Sequence, residues 1–438
     1  MDTSTEDSTE ESTAGSATGP AGYDPFDLDF RADPYPAYAT LRTQCPVHRL
    51  TLPVSEVART NENPLVAEPT SEFYSVARYD DVLAAVHNQA EFASGQGPGP
   101  ERLVAPDGIG MLIYADEPHH SRQRRIVVQA FSPKAINGLR PALEEICHRL
   151  IDGFAGLGSV DLIPEYAAQT PIEAMSLILG VPAADRERFK RWTDDTLKAF
   201  GGDPEAYQNS YRSLVEFQEY FTEVISQRRA AMAAGLTPPD DVLNRLIHAE
   251  YEQRQFSDPE LLMAIQVLLV AGIDTVNHAI GNGTYLLLSH PAARAALAGR
   301  PDRWMLAVEE ILRFESPAQA LFRNTTVDTE VSGCPIPANS KVRMLFASAN
   351  RDPEHFSDPD SFRIDRDPRE VRKHLAFGHG IHACVGAALG RTLLEIALRT
   401  LLERLPDLRL DPERRPSRDL DRFHTRSWRS LPVVWGGS

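Results

Sequence analysis

The stretch FGHGIHACVG, Phe377 to Gly386, sets one of only four cysteines, Cys384, in a glycine-rich approach to a helix, with His379 and His382 just before it. Three chemistries compete for such a cysteine: a zinc ligand, a nucleophile, or a thiolate ligand to a haem iron. Zinc needs about four ligands. His379, His382 and Cys384 supply three, and no partner cysteine is near. A nucleophile needs a base and an oxyanion hole. A haem thiolate needs one cysteine, a flexible approach and a following helix, whose N-terminal N–H groups and dipole favour the anion. On this stretch alone all three stay open, and the rest of the chain has to choose.

The other cysteines, Cys45, Cys147 and Cys334, are far apart and form no C-x-x-C pair. That spacing weighs against a disulfide framework or a multi-cysteine zinc site and fits a reducing cytoplasm. The chain has 438 residues and a net charge of −17, a poor match to non-specific nucleic-acid binding. Apolar content of 42% is enough to bury a large core. The opening MDTSTEDSTEESTAGSATGP is acidic, rich in Ser and Thr, and has no apolar h-region. It predicts a disordered tail over 1–22, neither signal peptide nor anchor. With no repeat and no low-complexity linker after it, 23–438 reads as one domain.

The pattern is mainly helical with a minor sheet. Residues 33–42 predict a short helix. Residues 72–88 predict a strand running into a helix, with Asp80 as its N-cap. Pro53 to Ser71 reads as a loop, and 93–110, rich in Gly and Pro, as an irregular one. Apolar residues at three- and four-residue spacing predict helices over 139–154, 210–235 and 385–405. Residues 325–348 look strand-like. Leu261 to Val276 is the nearest approach to the roughly 20 apolar residues that span a bilayer. Gln266 and Asp274 interrupt it, so it reads as a buried core helix and not as a membrane span.

Four constellations carry chemistry. Ser257-Asp-Pro-Glu260 is a capping box. It opens a helix of about thirty residues, roughly 45 Å long. In its middle lies Ala271-Gly272-Ile273-Asp274-Thr275, where a buried acid and alcohol need partners and Gly272 lets another group approach; a kinked helix with a self-satisfied Thr is the competing reading. Glu310 and Arg313 share a helical face, a spacing that by itself more often marks a solvated surface pair. His120 and Arg124, four apart on a helix starting near Pro118, can present two donors to one anion, or form an exposed basic turn. The fourth constellation is the cysteine stretch itself.

Their order is acid–alcohol helix, E-x-x-R, a strand region with the isolated Arg323, then F-x-x-G-x-x-x-C-x-G. In this combination the chain resembles a bacterial cytochrome P450 from about Asp24 to its C-terminus. The resemblance implies a prism fold, mainly α (α+β), with a large helical lobe and a small β-rich lobe. It implies haem b with Cys384 as the axial ligand to iron. Phe377, Gly378, Gly380 and Gly386 would shape the loop, and Ala271 and Gly272 would lie against the cofactor. His120, Arg124, Arg323 and His382 match propionate donors. Glu310 and Arg313 match a structural brace, and Asp274 and Thr275 the pair that relays protons beside the oxygen site. His379 and His382 are then not zinc ligands.

The implied reaction is insertion of one oxygen atom from O2 into a small organic substrate. A ferredoxin or flavodoxin with its reductase would supply electrons. RFESPAQALFR, 313–323, resembles the branch that oxidises small aromatic acids or aryl ethers; terpenoids and fatty acids are the alternatives. Val267, Val270, Gln319 and Leu321 are candidate substrate contacts. The segments 93–113, 195–220 and 425–427 would also face the substrate. An H2O2-using peroxygenase, whose family members generally lack the acid–alcohol pair, and a non-catalytic haem sensor are the rival functions. Arg369, Arg372, Lys373 and Arg391, with Arg122 and Arg125, are candidate docking cations for an acidic electron donor.

Overall fold

In a computed structural model of the protein, residues 23–51, 66–68, 72–100, 102–103, 110–199, 204–421 and 424–436 are described. The expected tail 1–22, most of the 53–71 loop and parts of the 93–113 and 195–220 segments lie outside the described residues.

The capping box forms as its sequence requires. Ser257 Oγ accepts from the Glu260 N–H, and Glu260 Oε2 accepts from the Ser257 N–H at 2.9 Å. These bonds satisfy two of the donors a helix N-terminus leaves open. They start a 32-residue helix, Asp258–Ser289, that runs through the core. This helix is long and apolar enough to cross a bilayer. It is instead packed within the protein: Leu261, Ala264, Ile265, Leu268 and Leu269 are buried, as is every residue from His278 to Thr284. Its neighbours include Gln169–Ile178, Trp304–Phe314 and Ala387–Arg404. Gly283 permits the closest of these approaches. A Cβ there would lie 2.8 Å from Leu398 Cδ1 and 3.3 Å from Ile311 Cδ1.

The largest sheet orders its strands as Val47–Thr51, Glu72–Val76, Lys341–Met344, Leu321–Thr325 and Phe92–Ala93. Only the Glu72–Val76 and Lys341–Met344 pair is parallel. Lys341–Met344 lies centrally and is buried along its whole length, so its sequence does not alternate as a half-exposed strand would. Buried Lys341 donates to the carbonyls of Gln96 (2.9 Å) and Gly97 (3.1 Å), tying the start of the 93–113 segment to the sheet. The architecture is the mainly α fold with a small β-rich lobe that the sequence predicts.

Three local expectations change. Val66–Glu68, inside the expected 53–71 loop, is a short strand that pairs with Arg102–Leu103, inside the expected 93–110 loop. The helix after strand Glu72–Val76 is Tyr79–His87, and Arg78, not Asp80, precedes it. The open Tyr79 N–H donates to Asp352 Oδ2 at 2.9 Å, so a carboxylate remote in sequence does the capping. Asp80 instead pairs with His355 at 3.0 Å. At the end of the strand-like region, Phe346–Ala349 is a helical turn.

Candidate active site

Helix Ala387–Arg404 begins just after Cys384, with Gly386 at its cap. The approach loop is held by its own backbone: the Cys384 N–H donates to Phe377 O (2.8 Å) and the Gly378 N–H to Leu375 O (2.9 Å). Gly380 has φ +69°, and a Cβ on it would lie 2.6 Å from Val86 O, so only glycine fits. Cys384 is solvent-accessible although protein crowds it on most sides. Burial pushes its thiol pKa up, against the Gly386 N–H and the Arg124 and Arg391 charges, which pull it down. A metal cation would deprotonate a coordinating thiol outright.

The two histidines of the stretch point to different partners. His379 Nδ1 lies 2.7 Å from His87 Nε2 on the surface. The His382 ring lies against that of His120, with centroids 4.1 Å apart and planes tilted by 46°. No cluster of three or more metal-binding side chains forms among the described residues, so the zinc option fails on geometry.

His382 and His120 belong to a second assembly with Arg124 and Arg323. His120 is 1% exposed and Arg323 5%. His120 Nδ1 and His382 Nε2 are buried and have no hydrogen-bond partner among the described residues. Burial, then the charges of Arg323, His120 and Arg124, push the His382 pKa down to about 3. Burial holds Arg323 at about 10, with Asp116 the only carboxylate opposing that shift. Unpaired buried donors and excess positive charge are costly unless an anion meets them. Two imidazoles and two guanidinium groups beside a free thiol suit a buried ligand that carries carboxylates and a metal. A haem fits this donor set.

On the central helix, Ala271 is exposed, while Val267, Val270, Gly272, Asp274 and Thr275 are half-buried. Thr275 Oγ1 donates to Ala271 O at 2.9 Å, so the self-satisfied threonine is present. Asp274 Oδ1 lies 3.2 Å from His278 Nε2. A Cβ at Gly272 would meet Met175 Sδ at 3.1 Å. Leu321 packs at the edge of the sheet-side core. Gln319 is buried; its Nε2 donates to Ser316 O (2.7 Å) and its Oε1 has no partner among the described residues.

Glu310 and Arg313 are fully buried, not a surface pair. Sequence reading passed over their neighbour Glu309. Its carboxylate accepts from Arg391 Nε (2.7 Å) and pairs with His374 Nε2 (2.7 Å). Burial pushes the Glu309 carboxyl up, but these two partners outweigh it and hold it down to about 2. Arg391 also lies 4.3 Å from the Phe377 ring centroid, so the trio braces the cysteine loop from behind. The signal was two adjacent carboxylates on a helix that is otherwise apolar except for Arg313. Of the candidate docking cations, Arg391 is therefore committed internally, and Arg125 stacks over Tyr251 at 4.6 Å. Arg122, Arg369, Arg372 and Lys373 are exposed.

This geometry agrees with the relatives of the chain. The family description Cytochrome P450 matches residues 191–299 and 305–426. The chain is 36% identical over 397 residues to the mycinamicin IV hydroxylase/epoxidase of Micromonospora griseorubida, covering 89% of this chain and 97% of that protein. It is 34% identical over 401 residues to the vitamin D(3) 25-hydroxylase of Pseudonocardia autotrophica, covering 90% and 92%. Its fold superimposes on cytochrome P450 CYP109Q5 from Chondromyces apiculatus with a TM-score of 0.82, at 33% identity, over 95% of this chain and 98% of that one. Family members of this kind take electrons from redox partners and use O2 and an organic substrate. The chain is thus a member of the cytochrome P450 family, a monooxygenase whose cofactor is haem b.

Proposed function

We propose that this protein hydroxylates or epoxidises a bulky, largely apolar substrate, with Cys384 as the residue that would hold the haem iron and Asp274 and Thr275 as its proton-handling pair. The observation that carries the reading is the cluster of buried His120 and Arg323 with half-buried Arg124 and His382, two of whose imidazole nitrogens have no partner among the described residues, beside the solvent-accessible Cys384.

When bound, haem supplies the O2 binding and oxidising chemistry, and a thiolate ligand pushes electron density toward the metal. The quartet would hold the propionates through charge-assisted bonds. Gly378 and Gly386 keep the loop compact, and Phe377, under Arg391, covers the sulfur side. Ala271 and Gly272 would leave room for the bound cofactor, since neither carries a bulky side chain. The Thr275 hydroxyl proton is committed to Ala271 O, so its oxygen offers lone pairs to a water or to the oxygen-bearing side. Asp274 is the adjacent acid that gives up protons there. Thr275→Ala is expected to leave substrate affinity unchanged while product per NADH drops about tenfold and peroxide rises, as loss of a proton-relay group predicts. Equal product per NADH in wild type and variant would remove the role.

For the substrate, Val267, Val270 and Leu321 offer apolar walls, and Gln319 has one free acceptor, Oε1. The 313–323 segment that pointed to small aromatics is spent on scaffold: Glu315 pairs with Arg351, Arg418 and Arg426, and Ser316 holds Asn350. Relatives named for mycinamicin IV and vitamin D(3) act on far larger molecules. A titration panel of macrolides, sterols, long-chain acids, benzoates and methoxyarenes decides between them. The macrolide or sterol class is expected to give the high-spin shift with the tightest midpoint. Saturation by benzoates or methoxyarenes alone would restore the small-aromatic reading. An acidic ferredoxin is the proposed electron donor, met by Arg122, Arg369, Arg372 and Lys373, and the chain would act as one unit over 23–438 in the cytoplasm.

A further inference from the structure

Behind the cysteine loop, a buried carboxylate stands between an imidazole and a guanidinium. Glu309, on helix Trp304–Phe314, is 4% exposed. It faces Arg391 Nε (2.7 Å) and Nη2 (3.3 Å) on one side and His374 Nε2 (2.7 Å) on the other. His374 Nδ1 in turn accepts the Ala376 N–H (3.2 Å), on the backbone that leads into the loop. An imidazole nitrogen that accepts carries no proton. His374 is therefore neutral, with its proton on Nε2 and donated to Glu309. The full positive charge beside Glu309 is that of Arg391.

Arg391 faces two ways. Away from Glu309, its guanidinium carbon lies 4.3 Å from the Phe377 ring centroid, and the Phe377 carbonyl accepts the Cys384 N–H. Its charge acts on the Cys384 sulfur, as does that of Arg124. Arg124 belongs to the quartet, whose positive charge the propionates would meet. Arg391 is instead paired with Glu309. Opposite charges in contact cancel much of each other's field at a third point, and what remains is felt more strongly where water is scarce. How hard Arg391 draws on the sulfur therefore depends on Glu309.

We infer that Glu309 is a positioning residue that tempers the pull of Arg391 on the Cys384 sulfur, and so sets how much electron density the thiolate lends to iron, with His374 tying the carboxylate to the loop. The inference rests on the reading of Cys384 given above. A cation beside the sulfur favours the more negative, reduced state of an iron–thiolate pair and holds sulfur electron density back from the metal. A carboxylate beside that cation works against both effects. A brace alone has no sign, because loss of either partner loosens the same loop.

Two charge variants of the haem-loaded protein test the sign, read as the ferric/ferrous midpoint potential and as the C–O stretching frequency of the ferrous–CO complex. Glu309→Gln removes the negative charge and keeps the side chain's shape. It is expected to shift the reduction equilibrium towards the ferrous state, on the order of tenfold. The C–O frequency is expected to rise, because less electron density reaches the metal. Arg391→Gln is expected to move both readouts the opposite way, and the double variant to fall between the two. Anything other than opposite shifts in the single variants would overturn the inference and leave the trio a brace. If Glu309→Gln retains too little haem to measure, Arg391→Gln decides: a lowered potential supports the inference, and an unchanged or raised one overturns it. Cys384→His runs beside these. If it keeps the thiolate-type band, the ligand reading falls and takes this inference with it. If it loses the band and the charge variants do not move oppositely, only the role of Glu309 falls.

Discussion

Cys384→His is expected to abolish the thiolate-type Soret band of the ferrous–CO complex and to lower monooxygenation about a thousandfold, several kcal/mol of transition-state stabilisation. Cys45→Ser, Cys147→Ser and Cys334→Ser are expected to keep both. The structure gives each residue a reason. Cys147 is buried in the helical core and its thiol is pushed up to about 11, chiefly by burial. Cys45 is occupied by Val47 O, and Cys334 opens a two-stranded hairpin, Thr329–Val331 with Cys334–Ile336. Only Cys384 combines solvent access, a helix N-terminus directly ahead and two guanidinium charges acting on its sulfur. Histidine there can still ligate iron, so haem content should survive while the electron push of the thiolate is lost. Retention of the thiolate-type band in Cys384→His would place the ligand elsewhere. Loss of the band in any of the three serine variants would mean that a second cysteine is involved.

Much of this apparatus was legible before any coordinates, because its parts obey local rules. The capping box at Ser257 and Glu260, the glycines around Cys384 and the four-residue spacing of His120 and Arg124 each follow from backbone geometry within one or two turns. What stayed hidden depends on partners distant in sequence. Asp80 reads as a cap, but Asp352 performs that task. Arg391 reads as a free cation, but Glu309, on another helix, pairs with it and leaves it half-buried. The substrate suffers most. The stretch 313–323 bears only a local likeness to a branch that takes small aromatics, and Glu315 and Ser316 within it make scaffold bonds that the fold needs whatever the substrate.

Arg313→Lys is expected to be nearly as damaging as Arg313→Ala, although it keeps the charge. A guanidinium has five N–H donors, and in Arg313 all five are used. Nε and Nη2 donate to the two Glu310 oxygens (2.7 and 2.8 Å), Nη1 donates to the carbonyls of Asn350 (3.0 Å) and Pro359 (2.8 Å), and Nη2 reaches Ser361 O (3.2 Å). Glu310 is equally committed: Oε1 also accepts from the Arg363 N–H (2.8 Å) and Arg366 Nε (2.9 Å). A lysine ammonium has three donors on a single point and cannot reproduce a planar fork. With both side chains fully buried, breaking such a pair costs about 3–5 kcal/mol, against a total stability of about 5–15 kcal/mol for a typical domain. The damage should also reach the cofactor. Arg313 holds the backbone of Asn350, and the Asn350 side chain, anchored on Ser316 Oγ (2.8 Å), accepts from the Leu375 N–H just before the cysteine loop. Arg313→Lys and Glu310→Gln should therefore lower the urea midpoint and reduce haem retained per chain, in parallel. A variant with wild-type midpoint and full haem content would show that the network is dispensable. A lowered midpoint with full haem content would show that it stabilises the fold without positioning the cysteine loop.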